Sequence, residues 1–195
     1  MPCGSDNCPQ KELWVPKRHT QTGKYSEELE DYIAEAAQMD PPVLIDPSLA
    51  FEYKIPKAGL DYWLTKAAAG GVPSRTDINP REIAKYLPYI ALVDATEEGG
   101  GKLSLFSRLA GEEFERVYGS IRQKDLSTHL EAGTFDRWCT FIRIMQAAGA
   151  PIRLKTKIAY ERKMYLDGEF LLAPLRSGTP DTITIMVMAE FRTDS

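Results

Sequence analysis

The order of two hydrophobic periods along the chain constrains its fold more than any single motif. Five segments carry apolar residues in strand-like runs or in alternation with polar residues. They are residues 89–95, 102–109, 152–160, 169–175 and 182–191. Residues 112–118 and 134–148 lie between the second and third of them and carry apolar residues at helical spacing instead. Two strands, then helices, then three strands predict an α+β fold with a five-stranded antiparallel sheet and helices on one face.

The sequence before this sheet divides into a tail and an extension. Residues 1–24 are rich in Pro, Gly, Lys, Gln and Asn without any period, which is typical of a flexible tail. Residues 25–58 predict a helical extension, because an amphipathic helix at 25–39 is followed by a linker with four prolines at 41–56. The main domain is expected over residues 59–195, and it opens with another helix.

Composition and charge exclude several classes of partner. The chain has 195 residues and a formal net charge of -4, which disfavours a nucleic-acid partner because phosphates require a basic surface. No segment approaches the ~20 apolar residues that cross a bilayer, and the N-terminus has no apolar secretory segment. We therefore expect a cytoplasmic protein that does not contact membranes.

Residues that support catalysis or bind a cofactor are few. The two histidines are His19 and His129, and no hydrolytic triad, zinc-protease motif or phosphate-binding loop surrounds them. Cys3, Cys8 and Cys139 are too few for a disulfide framework, and the role of the first two is left open. Cys139 has the spacing of a small buried residue on the long helix. The sequence thus predicts no catalysis, no metal site and no cofactor.

Four motifs follow one another between Leu60 and Gly119. They are Trp63, Pro73-Ser74-Arg75-Thr76-Asp77-Ile78-Asn79-Pro80, Leu87-Pro88 and Arg108-Leu109-Ala110-Gly111. In this order they resemble a bacterial family of single-domain PAS sensors, in which a Trp-bearing helix, a P-x-R-x-D-I-x-P turn, a Leu-Pro helix end and an R-L-A-G strand end succeed each other. The resemblance implies a PAS-like sheet over about Gly59 to Phe191. It also implies a sensor or adaptor and not an enzyme.

A pocket for a small organic ligand, between the sheet and its helices, is the site that the resemblance implies. The candidate residues are Phe114, Tyr118, Phe135, Trp138 and Ile142 for its apolar wall, with Arg108 and Arg75 as possible charged groups. The same apolar residues also suit a solid core, so the existence of a cavity stays open. Arg108 lies in a strand and would need a partner such as Asp94 if it were buried.

The last predicted strand is apolar on both faces. One face carries Thr184, Met186 and Met188, which a sheet covered by helices on one side would leave exposed. Flexible methionines suit an adaptable contact, so we expect this face to be covered by the N-terminal helix, through Leu29 and Ile33, or by a second subunit. A homodimer or a complex with a signalling protein follows.

These patterns predict a signalling or regulatory module of the PAS type. It would bind a small organic ligand, a protein partner or both, and it would act in trans because no output domain is visible after the sheet. The alternative is a protein-interaction adaptor or dimerisation module whose core is filled and binds no ligand.

Overall fold

The computed structural model describes residues 27–67, 71–158, 160–161 and 166–193. Its strands are β1 (Val43–Asp46), β2 (Ile90–Glu98), β3 (Lys102–Ala110), β4 (Lys124–Asp125), β5 (Ile152–Lys157), β6 (Leu166–Arg176) and β7 (Thr182–Thr193). They form one sheet in the order β1-β5-β6-β7-β2-β3-β4, and every neighbouring pair is antiparallel. The five predicted strands are confirmed as the five long ones, and β1 and β4 extend the sheet at its two edges. The predicted tail, with Cys3 and Cys8, lies outside the described residues.

Five α-helices accompany the sheet in the described part of the chain. They are α1 (Glu27–Ala37), α2 (Lys54–Lys66), α3 (Glu112–Tyr118), α4 (Leu126–His129) and α5 (Ala132–Ala148), and two 3-10 helices lie at Arg75–Asp77 and Ala84–Tyr89. The long helix α5 ends where Gly149 adopts a φ of 61°, a left-handed conformation that glycine takes without strain. The predicted helices at 112–118 and 134–148 are therefore present, and the second begins two residues earlier.

Helices α3, α4 and α5 cover one face of the sheet, which we call the inner face. Their apolar side chains pack on alternate residues of the strands, including Leu154, Phe170 and Ile185, which are 0–1% exposed. Burying one such side chain stabilises the fold by about 1.5–3 kcal/mol. Helix α1 packs on α5 and β1 and extends this core, so the N-terminal helix contacts its own chain.

Helix α2 covers the opposite face, which we call the outer face. Trp63 is buried there with Leu171, Met186 and Met188, and its indole nitrogen donates a hydrogen bond of 2.9 Å to the carbonyl oxygen of Pro174. The approach is close, because a Cβ atom on Gly59 would lie 2.5 Å from the sulfur of Met188. The prediction that all helices of the domain lie on one face of the sheet is therefore wrong for α2, which covers the opposite face.

The expected proline-rich linker supplies an edge strand of the sheet. Strand β1 pairs with β5, with Ile45 opposite Leu154. Arg153 of β5, 4% exposed, forms ion pairs with Asp46 (3.0 Å), Glu52 (2.7 Å) and Glu169 (2.6 Å). These contacts tie the segment before α2 to the sheet, so the extension is packed and does not run free as a linker would.

Close backbone packing explains two of the sequence motifs. A Cβ atom at Gly111 would overlap the carbonyl oxygens of Leu87 and Pro88, so the Leu-Pro turn and the end of β3 meet only because residue 111 is glycine. The amide of Gly111 donates a hydrogen bond of 2.8 Å to the carbonyl oxygen of Ile90. Both motifs therefore specify a junction between backbone segments and not a chemical site.

Candidate functional site

An apolar cavity lies on the inner face, between the sheet and helices α3, α4 and α5. Its volume is about 20 Å³, which is enough for roughly one water-sized sphere. Side chains of β2, β3, β6 and β7 line one side, and those of the three helices and their connections line the other. A cavity with this lining favours an apolar occupant, because water there would lack the two to four polar partners it needs. We call it the inner cavity.

Four of the five predicted wall residues meet at the inner cavity. Phe114 and Tyr118 lie one turn apart on α3, and Trp138 and Ile142 lie one turn apart on α5, so each helix presents a pair on one face. The rings of Tyr118 and Trp138 meet edge to face with centroids 6.0 Å apart. Phe135 is only partly buried and packs against the core without lining the cavity.

The two predicted arginines lie away from the inner cavity. Arg108 is exposed at a β-bulge opposite Leu92 and Val93, and its guanidinium forms an ion pair with Asp94. The anticipated partner is therefore correct, although the arginine is not buried. Arg75 is exposed in its 3-10 helix. Neither supplies the inner cavity with a charged group, because both side chains are exposed at the surface and neither lines the cavity.

The residues predicted as an interface are packed within the chain. Met186 and Met188 are 0% exposed beneath α2, and the hydroxyl of Thr184 donates a hydrogen bond of 2.7 Å to Asp94. Leu29 is buried in the inner core, and Ile33 packs against it. The methionines are therefore covered by α2, and not by the N-terminal helix or a second subunit as expected from the sequence.

A second cavity lies beside the inner one and is polar on one side. Its volume is also about 20 Å³, and it shares Tyr118 and Trp138 with the inner cavity while adding Arg137, Thr156 and Lys157. Burial raises the pKa of Tyr118 far above its ordinary value, although the charge of Arg137 opposes this shift. The phenol therefore stays protonated. We call this space the Arg137 cavity.

Arg137 is not among the site residues predicted from the sequence. Burial lowers the pKa of its guanidinium, and nearby Tyr118 and Asp40 oppose that shift. The signal that was available is a cation directly before Trp138, inside a helix with apolar residues on two sides. A charged residue at such a position must be partly buried, and burying a charge costs free energy unless the charge is paired or hydrogen-bonded.

Features that would hold a metal or cofactor are weak in the part of the chain that is described. His129 lies 3.3 Å from the carbonyl oxygen of Tyr118, to which its ring can donate a hydrogen bond. Burial raises the pKa of the Cys139 thiol, which makes it less reactive. Among these residues there is no cluster of three metal-binding side chains. None of the described helices has the length and apolar character of a membrane span.

Comparison with known families places a name on this architecture. A family model described as PAS domain matches residues 56–188. The match covers more than half of the chain, from the first turn of α2 to Met188 of β7, and so includes both cavities. No curated protein matches the chain.

Proposed function

This chain belongs to the PAS domain family, and from that membership we propose that it is a signalling module that binds a small organic ligand in its inner cavity and acts in trans. The observation that carries the proposal is the cavity itself, which is enclosed by the sheet and by three helices. A ligand in this position touches both layers at once. Its binding energy can therefore shift their relative packing.

The size and lining of the inner cavity limit its ligand. About 20 Å³ admits only a very small apolar molecule without movement. A larger ligand must displace the segment between α3 and α5, which contributes Ile121, Leu126 and Leu130 to the wall. This segment contains only short helical and strand pieces, so it is the part of the wall that yields at least cost.

The route from the cavity to the rest of the protein runs through α5. This helix carries Trp138 on the cavity wall, and α1 packs against it. Arg137, next to Trp138, donates a hydrogen bond of 2.8 Å to the carbonyl oxygen of Pro41, just before β1. A displacement of α5 therefore changes the surface formed by α1 and β1. We propose that a partner protein or a second copy of the chain reads that surface.

Xenon under pressure is a suitable probe of the inner cavity, because apolar cavities that stay dry bind it. We expect wild-type protein to show saturable shifts of amide and methyl signals around the cavity in NMR spectra. Val93→Ile adds one methyl group to the wall and should weaken this response several-fold. Val43→Ile, a matched change at a buried position of β1 outside the wall, should leave it unchanged.

Native mass spectrometry and an absorption spectrum of the purified protein complete the test. A bound small-molecule mass supports the sensor. If the measured mass is that of the protein alone and xenon causes no shifts, the core is filled, and this result would contradict the ligand-binding proposal.

The second candidate function is a protein-interaction adaptor or dimerisation module without a ligand. The water-sized inner cavity favours it, because most of the inner core is already packed. Leu44 on edge strand β1 and Leu64 on α2 are 57% and 51% exposed, and they offer apolar contacts to a partner. Light scattering on the full chain measures self-association directly. A monomer at all concentrations would remove the homodimer from this proposal.

A further inference from the structure

We propose that the Arg137 cavity is a binding site for a short aliphatic monocarboxylate such as acetate or propionate. This inference goes beyond the proposed function, because it concerns a different cavity and a ligand of different chemistry. It stands or falls independently of whether the inner cavity binds an apolar molecule.

The first argument is that Arg137 has donors to spare and no carboxylate partner. One terminal nitrogen donates to the carbonyl oxygen of Pro41 at 2.8 Å, and the other donates to the hydroxyl of Thr156 at 3.1 Å. Both acceptors are neutral, and a guanidinium carries five N–H donors. Within the described ranges, no carboxylate forms an ion pair with Arg137, and Asp40 acts on it only at longer range.

The second argument is that another donor lies beside Arg137 in this cavity. The phenol of Tyr118 stays protonated and so keeps an O–H donor. The ammonium group of Lys157 does not contribute, because it lies 3.5 Å from a carboxylate oxygen of Asp167 on the opposite face of β5. A space bounded by a guanidinium and a phenol is chemically complementary to an acceptor with negative charge.

The third argument concerns size and shape. The volume of about 20 Å³ holds one water-sized group, so a carboxylate enters this cavity only if neighbouring side chains move. It can then accept two parallel hydrogen bonds from an arginine fork. Phosphate carries negative charge but has no alkyl group. The apolar side of the cavity is formed by Trp138, Phe141 and Phe170, which suits a methyl or ethyl group attached to the carboxylate.

A purely structural role for Arg137 is the competing explanation. Its bond to Pro41 fastens the segment before β1 to α5, and this alone would account for its position. Arg143 is the matched comparison, because it lies on the same helix and also donates to a backbone carbonyl, that of Gly101. It does not line the Arg137 cavity. Loss of either arginine removes a tether, but only loss of Arg137 removes the site.

The test is a titration of the full chain with sodium acetate at constant ionic strength, followed by NMR of the Trp138 indole and the Arg137 side chain. For a ligand this small we expect a dissociation constant on the order of millimolar. Arg137→Gln should weaken binding by at least about tenfold, because a charge-assisted fork is lost. Arg137→Lys keeps the charge without the fork, so its affinity for acetate should lie between those of wild type and Arg137→Gln. Tyr118→Phe should weaken acetate binding less than Arg137→Gln does. Arg143→Gln should bind as wild type does.

Acetamide and inorganic phosphate are the parallel arms. Acetamide has the shape of acetate without its charge and should not bind, and phosphate should bind more weakly than acetate. Saturable acetate shifts that disappear in Arg137→Gln and persist in Arg143→Gln support the site. The proposal is overturned if acetate gives no saturable shift, if both arginine variants bind equally, or if phosphate binds as well as acetate. Should Arg137→Gln fail to fold, Arg137→Lys and Tyr118→Phe decide the question.

Discussion

At the scale of single residues, the buried carboxylate of Glu169 joins the segment before α2 to the sheet. It is 0% exposed, accepts hydrogen bonds from the amides of Glu52 (3.0 Å) and Tyr53 (2.6 Å), and pairs with Arg153. Glu169→Gln should lower the free energy of unfolding by about 3 kcal/mol, since it removes one charge of a buried pair. The value lies at the low end of the usual range because Asp46 still faces Arg153. Urea denaturation measures it.

Glu113→Gln is the control for this prediction. Glu113 forms an ion pair of 2.7 Å with Arg116 at the surface of α3, and its loss should cost no more than about 0.5 kcal/mol. Equal effects of the two substitutions would show that burial of Glu169 contributes nothing to stability.

Asp46 predicts how stability responds to acid. Burial alone would raise its pKa. Hydrogen bonds from Ser48, from the amide of Ala50 and from Arg153 together lower the pKa by more than burial raises it, so the pKa lies below its ordinary value of 3.8. Because the unfolded chain then binds the proton more readily, the stabilisation is present above about pH 4 and is lost as the pH falls further. Asp46→Asn should be less stable at neutral pH, and its free energy of unfolding should decline less on acidification.

Asp136→Asn, at an exposed position of α5, serves as the control for the acid measurement. Urea midpoints between about pH 6 and pH 3 test the difference, since a paired carboxylate loses its contribution across this interval. A parallel decline in wild type and Asp46→Asn would contradict the assignment to Asp46.

At the scale of elements, the junction of β3 with the Leu-Pro turn depends on one glycine. Gly111→Ala should cost about 2 kcal/mol or more, because the added methyl group would overlap two backbone oxygens that cannot move aside as a side chain can. Gly133→Ala in α5 is the opposite case. Nothing lies within 4 Å of its added Cβ, so it should stabilise the protein by up to about 1 kcal/mol. Thermal unfolding of both variants tests the contrast, and a stable Gly111→Ala protein contradicts it.

Elements with a strong period could be predicted from the sequence, and the exceptions have physical reasons. Helix α3 has acidic residues in its first turn and apolar Phe114, Val117 and Tyr118 at helical spacing, and the predicted range 112–118 matches the structure. Strand β1 has only four residues among prolines, so its pairing with β5 depends on tertiary contacts that no local pattern records. The face covered by α2 could not be predicted either, because an apolar stripe identifies a helix without showing which side of a sheet it covers.

The candidate site shows the same division. Phe114, Tyr118, Trp138 and Ile142 meet at the inner cavity because helical spacing already placed them in pairs. Arg137 could not be predicted in the same way. Its candidate role depends on having neutral acceptors and no carboxylate partner among the described residues, and only the three-dimensional structure shows this.

At the scale of the whole molecule, the segment before α2 belongs to the cooperative unit. Deletion of residues 1–53 removes α1 and β1, together with Asp46 and Glu52, and uncovers the edge of β5. An uncovered edge strand pairs readily with other chains. We expect a lower melting temperature and self-association in light scattering, relative to a protein that lacks only residues 1–26. A monomeric product with an unchanged melting temperature would show that the segment is dispensable.

The strand order also predicts the order in which the strands pair during folding. Asp46 meets Arg153 across 107 residues, and Trp63 meets Pro174 across 111. Closing such long loops slows folding, because chain entropy is lost before the contacts form. Strand β1 therefore has no strand to pair with until β5 forms, and α2 has no sheet to pack on until β6 and β7 form. In pulse-labelling hydrogen exchange during refolding, the amides of β1 should gain protection after those of the β2–β3 hairpin, so the first strand in the sequence completes the sheet last.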